Sequence, residues 1–361
     1  MLLPLLLISG SAFLISFVFQ GWLIRFLRRH NFSLPQGRLP KEPRSRLGGL
    51  GIFAGLLGSL YLFLFLFASP HLPVLMEDLP IPRDYLLFIG GLVLIFFLGL
   101  VDDLTGLNAK QKLAVELLVA GALFSGGFRV EFLTLPFGRG SFALGWFSLP
   151  FTALWLVTVT NAFNLIDGLD GLAGGTTLIL SLNLIVLCHF QGAPLYIPIL
   201  AALFGAVAGF LPFNIYPAKI YMGDGGSLLL GLFFAVLSLK LAQKAVLGIS
   251  LMVPLVFLAV PLLDTFLSFV RRLLAGKNPL QGDNDHIHHR LMKKGFREPQ
   301  AVGILLTMTA LFSLLSLLLT RTFGVGRFFA MGAALLLATG TVIYLNYLPW
   351  KGNHHGKGKN P

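Results

Sequence analysis

The chain has 361 residues, 56% hydrophobic and only 12% charged, with a mean hydropathy of +0.83; a soluble domain carries about a quarter charged residues, so lipid must be part of its solvent. A net charge of +12 would suit nucleic acid in a soluble protein, but no RNA-binding signature accompanies it. The Lys and Arg excess of cytoplasmic loops accounts for most of it, with anionic lipid headgroups and an anionic substrate taking the rest. The single cysteine, Cys188, excludes an internal disulfide and a cysteine-based zinc cage.

A spanning helix needs about 20 mostly apolar residues. Eleven stretches qualify or come close: 2–24, 47–68, 84–101, 112–126, 150–166, 172–190, 194–213, 226–243, 246–270, 301–320 and 326–348. The first is too long for a cleaved secretory core and reads as a retained helix. With the amino terminus outside, only Arg83, Arg129, Arg139, Lys240, Lys244, Arg321 and Arg327 face outward, and the other twenty of the 27 Lys and Arg residues face the cytoplasm; that asymmetry sets the orientation. The expected fold is an all-α polytopic membrane protein of about eleven transmembrane helices, carboxyl terminus cytoplasmic. Residues 1–348 form one integral-membrane domain, 271–300 a His-rich cytoplasmic loop within it, and 349–361 a flexible tail that holds His354 and His355.

Along the chain, residues 69–83 are a Pro-rich outward loop. The third span ends in Asp102-Asp103. Paired carboxylates at a helix C-terminus oppose its dipole, so a cation is expected close by, and Lys112 at the start of the next span can fold back over them. Residues 128–149 alternate apolar and polar around Gly138-Arg139-Gly140, which predicts a small extracytoplasmic β-hairpin. The fifth span closes with Asn161-x-x-Asn164-x-x-Asp167-x-x-Asp170. Residues three apart share a helix face, so the first three make a stripe of oxygens, and interleaved glycines then let backbone approach a ligand.

Next, Asn214 to Ser227, with Tyr221 and Gly223-Asp224-Gly225-Gly226, runs straight into a span. A Gly-rich turn at a helix amino terminus offers free N–H groups to phosphate, and Asp224 would suit a magnesium ion shared with phosphate oxygens. Asp264 lies inside the ninth span, where a carboxylate is paired or functional; it is expected to support a kinked helix that carries Arg271 and Arg272 toward the site. The largest inward loop holds Asp283, Asp285, His286, His288, His289 and Arg290. It fits a cationic cover over a pyrophosphate, with protonated imidazoles, better than a zinc site. Seven of the fifteen acidic residues thus fall in four segments that reach one membrane face.

Together Arg46-Leu47-Gly48-Gly49, Asp102-Asp103 with Lys112, Asn161 to Ala173, Asn214 to Ser227 and His286-Ile287-His288-His289 resemble the polyprenyl-phosphate N-acetylhexosamine-1-phosphate transferases. The resemblance covers nearly the whole chain. Ser45 before Arg46 and Gly225 after Asp224 are small departures that touch no carboxylate. The family implies attack of a polyprenyl phosphate on the β-phosphorus of a UDP-N-acetylhexosamine, releasing UMP, at the cytoplasmic face of a bacterial inner membrane. It implies Mg²⁺, with Mn²⁺ as a substitute, on Asp224 and Asn164. Asp102, Asp103 and Asp167 would be catalytic, Asp102 or Asp103 acting on the lipid phosphate. Lys112, Asn161, Asp170, Asn214, Tyr221, Arg271, His286, His288 and His289 would bind substrate, Tyr221 and Asn214 at the uracil. A homodimer is the family-level expectation. The His-x-His-His pattern and the eleven spans resemble the branch that primes envelope polysaccharides (O-antigen or teichoic acid), whose common donor carries GlcNAc, rather than the phospho-N-acetylmuramoyl-pentapeptide transferase branch; no residue reads the sugar itself. A cation-coupled transporter is the alternative from another class; its carboxylates belong at mid-membrane between repeats, and no repeat is visible.

Overall fold

The computed structural model describes residues 2–30, 45–67, 83–134, 141–244, 252–276, 285–321 and 325–345. The 69–82 loop, the 138–140 turn, Asp283 and the 349–361 tail lie outside these. In lipid a backbone must bond to itself, so long apolar runs become helices. Those described are α1 (Leu2–Arg29), α2 (Gly49–Phe67), α3 (Arg83–Thr105), α4 (Ala109–Ser125), α5 (Ser148–Ile166), α6 (Leu172–Phe190) and α7 (Ile197–Asn214). They continue with α8 (Gly223–Lys244), α9 (Met252–Phe257), α10 (Ala259–Leu274), α11 (Ile287–Lys293), α12 (Glu298–Arg321) and α13 (Val325–Tyr344). Eight are long and apolar enough to cross a membrane: α1, α3, α5, α6, α7, α8, α12 and α13.

The other three expected spans differ. The described apolar stretch of α2 is shorter, residues 49–65. Helix α4 has 17 residues and starts at 109 rather than 112, because Asn108 and Gln111 form a reciprocal capping box ahead of Lys112. The expected span 246–270 is not one helix: α9 and α10 are separated at Leu258. Pro261 has no N–H to give the carbonyl of Phe257, so the ladder is interrupted there.

Helix α8 is buried almost from end to end and packs against α3, α5 and α2. Beside it α1 packs on α7 and α2, while α12 joins α6, α9 and α13. The predicted hairpin is present as two three-residue strands, β1 (Phe132–Thr134) and β2 (Ser141–Ala143), antiparallel with Leu133 opposite Phe142. Lys240 near the end of α8 pairs with Asp84 at the start of α3 at 2.8 Å. The α3–α8 pair is therefore tied at this end as well as at the carboxylate end described next.

Candidate active site

The site is built where α3 ends and α8 begins. Ahead of α8, the turn entering α2 (residues 45–49) bonds to Tyr221 and Met222: Tyr221 N–H donates to Ser45 O at 2.9 Å, Gly48 N–H to Tyr221 O at 2.9 Å and Gly49 N–H to Met222 O at 2.8 Å. Gly223 then turns the chain at φ 78°, with the Arg46 carbonyl where a side chain would be. Both carboxylate oxygens of Asp103 are used on the new helix: Oδ1 accepts from Asp224 N–H and Oδ2 from Gly225 N–H, each at 3.0 Å. A negative side chain bonded to the first N–H groups of a helix satisfies orphan donors and complements the dipole. This corrects the expectation that those N–H groups stand free for phosphate, and it gives Asp103 a positioning task.

Lys112 answers the dipole problem at the end of α3. Its ammonium lies 2.7 Å from Asp102 Oδ2 and 2.6 Å from Asp224 Oδ2, half-buried in both pairs. The other oxygen of Asp102 accepts from Leu107 N–H at 2.7 Å, which holds the turn into α4. The Asp102 and Asp224 carboxyls are bridged by that one ammonium. Asn164 donates to Ser227 Oγ at 2.9 Å and approaches the Asp224 carboxylate. Asp167, at the C-terminal cap of α5, has no hydrogen bond or ion pair among the described residues. Burial, then the negative charge of Asp224 and of Asp103, pushes its carboxyl well above the usual carboxylate range.

Asp102 and Asp224 therefore share one ammonium, and Asp103 and Asp167 lie within the field of Asp224, with Arg46 contributing a weaker, opposing one. Among the described residues no three His, Cys, Asp or Glu side chains form a closed metal cage. Mg²⁺ does not need one: it binds through one or two carboxylates and completes its shell with water and phosphate. Surplus negative charge, a partnerless Asp167 and the amide of Asn164 beside Asp224 fit such an ion.

The loop after α5 is fastened from two sides. Asp170 Oδ2 accepts from Ala218 N–H at 2.8 Å, and Asp170 N–H donates to Glu298 Oε1 at 3.0 Å. Asn214 is buried, with both ends of its amide engaged: Oδ1 accepts from Gly171 N–H at 3.1 Å and Nδ2 donates to Ile220 O at 3.0 Å. Its expected contact with a base is corrected; it joins two loops. Tyr221 is half-buried beside them.

The histidine segment is helical from Ile287 and seals one side of the site. His288 is buried against Gly168, where a Cβ would come within 2.7 Å of its Nε2. Asp264 accepts from Ile287 N–H at 2.7 Å and lies 3.2 Å from His286 Nδ1, so it anchors the start of α11 more directly than it supports Arg271. The cationic-cover expectation is corrected on two counts. Burial, with neighbouring His289 and His286 behind it, lowers the His288 imidazole to about 4, so it is neutral near pH 7. Arg271, Arg290 and Lys293 converge on Asp285 at 3.1, 2.6 and 2.8 Å, and together they outweigh the burial that would raise that carboxyl, holding it below its ordinary range.

Three positions were passed over in the sequence. Glu116 is buried one turn beyond Lys112, with Asn161 Nδ2 donating to its Oε2 at 2.8 Å; the rule that singles out Asp264, an acid inside a span, singles it out as well. Glu298 holds Asp170, and buried Gln20 of α1 donates to Gly48 O. Neither carries a local motif.

Comparison with known proteins identifies the family. The family described as glycosyl transferase family 4 matches residues 85–242. The chain is 36% identical over 275 residues, 76% of its length and 73% of the relative's, to a probable undecaprenyl-phosphate N-acetylglucosaminyl 1-phosphate transferase of Bacillus subtilis (strain 168). It is 35% identical over 324 residues, covering 82% and 78%, to a decaprenyl-phosphate N-acetylglucosaminephosphotransferase of Mycolicibacterium smegmatis. A phospho-N-acetylmuramoyl-pentapeptide-transferase of Halalkalibacterium halodurans is 33% identical over 337 residues, 87% of this chain and 97% of that one. An all-helical membrane fold with its acids gathered at one end of the bundle, and relatives of this coverage, place the chain in glycosyl transferase family 4 as a sugar-phosphate transferase.

Proposed function

We propose that the chain transfers N-acetylglucosamine 1-phosphate from a UDP-sugar to a polyprenyl phosphate, releasing UMP, at the cytoplasmic face of a bacterial inner membrane that it spans about eleven times. The observation that carries this reading is the meeting of Asp102, Asp167, Asp224 and Lys112 at one end of the bundle. The basic segments ending α1 and α10, and α11 itself, support that end as the cytoplasmic one.

Phosphoryl transfer calls for positioning and charge neutralisation. Asp224 and Asn164 would hold Mg²⁺, which when bound supplies charge neutralisation and a template for the pyrophosphate. Lys112 adds a point charge to the same oxygens. Asp103 is bonded to the start of α8 and Asp102 to Leu107 N–H and Lys112, which favours the partnerless Asp167, with Asp102 beside it, as the group facing the lipid phosphate. That phosphate is largely dianionic at pH 7 already, and a base contributes little. Asp170 and Tyr221 lie on the nucleotide side, with the His288 wall closing over them.

The test offers UDP-GlcNAc, UDP-GalNAc and UDP-MurNAc-pentapeptide singly, each radiolabelled, with undecaprenyl phosphate. Label is expected in the lipid phase from UDP-GlcNAc, and Asp224→Asn is expected to lower it by about 10³-fold or more. Label from the pentapeptide substrate alone would select the second reading, which the near full-length H. halodurans relative favours. Wild-type transfer by Asp224→Asn would remove that residue from the metal.

A further inference from the structure

Glu116 is an acid the proposed chemistry does not use. It is 5% exposed on α4, and only one of its oxygens is spent: Oε2 accepts from Asn161, while Oε1 has no partner. A carboxylate with a bare oxygen inside a membrane helix is costly unless a cation can reach it. The cation that can is Lys112. Residues i and i+4 share a helix face, and helical side chains lean toward the amino terminus, so the Glu116 carboxylate is directed back at Lys112. In the structure, however, Lys112 is drawn the other way, and its bond to Asp224 occupies Oδ2, one of the two oxygens that Asp224 would offer a divalent cation. Lys112 and that cation therefore compete for the same carboxylate.

We propose that Glu116 is a positioning residue that provides the second seat for the Lys112 ammonium. When a divalent cation takes Asp224, Lys112 leaves that oxygen and settles against the unpaired oxygen of Glu116. Its charge stays within reach of a phosphate without opposing the metal. Asn161 holds the receiving carboxylate in place: its amide donates both to Glu116 Oε2 and to Val157 O at 3.0 Å. The inference rests on the reading of Asp224 as the cation's ligand.

The test is a double-mutant cycle on cation affinity, read without substrate by Mn²⁺ electron paramagnetic resonance on the full chain in nanodiscs. Glu116→Gln keeps the acceptor for Asn161 and removes the charge. It is expected to weaken Mn²⁺ binding about tenfold. Lys112→Met removes the competitor and is expected to tighten binding; with Lys112 gone, Glu116→Gln should then have no further effect. Equal weakening by Glu116→Gln in both backgrounds would mean a direct field on the metal and would overturn the proposal, as would unchanged affinity in the single variant. If the Gln variant does not fold, Glu116→Asp, which withdraws the charge by one methylene, is measured in both backgrounds with the same criterion. Asp224→Asn separates the levels. Mn²⁺ binding that survives it takes down the metal reading and the proposal together; binding lost there with a null cycle overturns the proposal alone.

Discussion

Replacing Asp103 by Asn separates a helix cap from a catalytic acid. The carboxylate accepts two backbone N–H groups of α8 at 3.0 Å each. A hydrogen bond to a charged group contributes about 1.5–3 kcal/mol. Asn can keep one bond through its oxygen but must turn an NH₂ toward the other N–H, leaving that donor unsatisfied and the helix dipole without its counter-charge. The net loss is about 2–3 kcal/mol, or roughly 3–4 °C in the unfolding transition of a chain of 361 residues. The assay is thermal unfolding of purified protein at one scan rate, since membrane proteins often unfold irreversibly, alongside transfer of labelled sugar phosphate into lipid. Asp103→Asn is expected to lower both readouts, because the misplaced start of α8 moves Asp224. Asp224→Asn gives up one ion pair of Lys112 but leaves that ammonium bonded to Asp102 and the α8 cap intact, so it is expected to abolish transfer and to shift the transition less than Asp103→Asn does. An Asp103→Asn protein that unfolds like the wild type yet transfers nothing would refute the capping argument and return Asp103 to the chemistry.

Three further outcomes follow from the loops. Gly168→Ala places a methyl 2.7 Å from His288 Nε2, so α11 should be pushed off the site and transfer lowered at least about tenfold; pairing it with His288→Ala, which makes room, should recover part of the loss. Glu298→Ala removes the acceptor for Asp170 N–H and is expected to raise the KM for the UDP-sugar more than it lowers kcat, measured by initial rates. His288 is neutral when folded, with its imidazole lowered to about 4 from an ordinary 6.5. Between these values the unfolded chain binds the extra proton, so stability falls as pH drops from about 6.5 toward 4. The loss is on the order of 1–3 kcal/mol and should be smaller in His288→Gln across a pH series of unfolding scans.

Much of the fold was legible because lipid leaves a chain few options. Apolar stretches of spanning length become helices, and eight of the eleven expected stretches give helices long and apolar enough to cross a membrane. Pairing of Lys112 with Asp102 also followed from sequence, since buried like charges at a helix C-terminus require a cation and ten residues of chain can deliver one. Less legible was what each polar side chain does once the helices have packed. Asp103 and Asp224 are 121 residues apart, and nothing local says that one will cap the helix carrying the other. Asn214 and Asp170 sit in motif-like runs, yet their oxygens are taken by backbone of a neighbouring loop. The histidine loop read as cationic because charge can be counted in a sequence, whereas burial cannot.

The sequence alone determined that the chain lives in lipid, where its acids cluster and which class of chemistry they suit, because composition and spacing depend only on solvent and helix period. Tertiary structure decided which carboxylates remain open to a cation and which are consumed in holding α3 to α8. Hydrogen bonds between segments far apart in the chain exist only after packing brings a particular donor within about 3 Å of a particular acceptor.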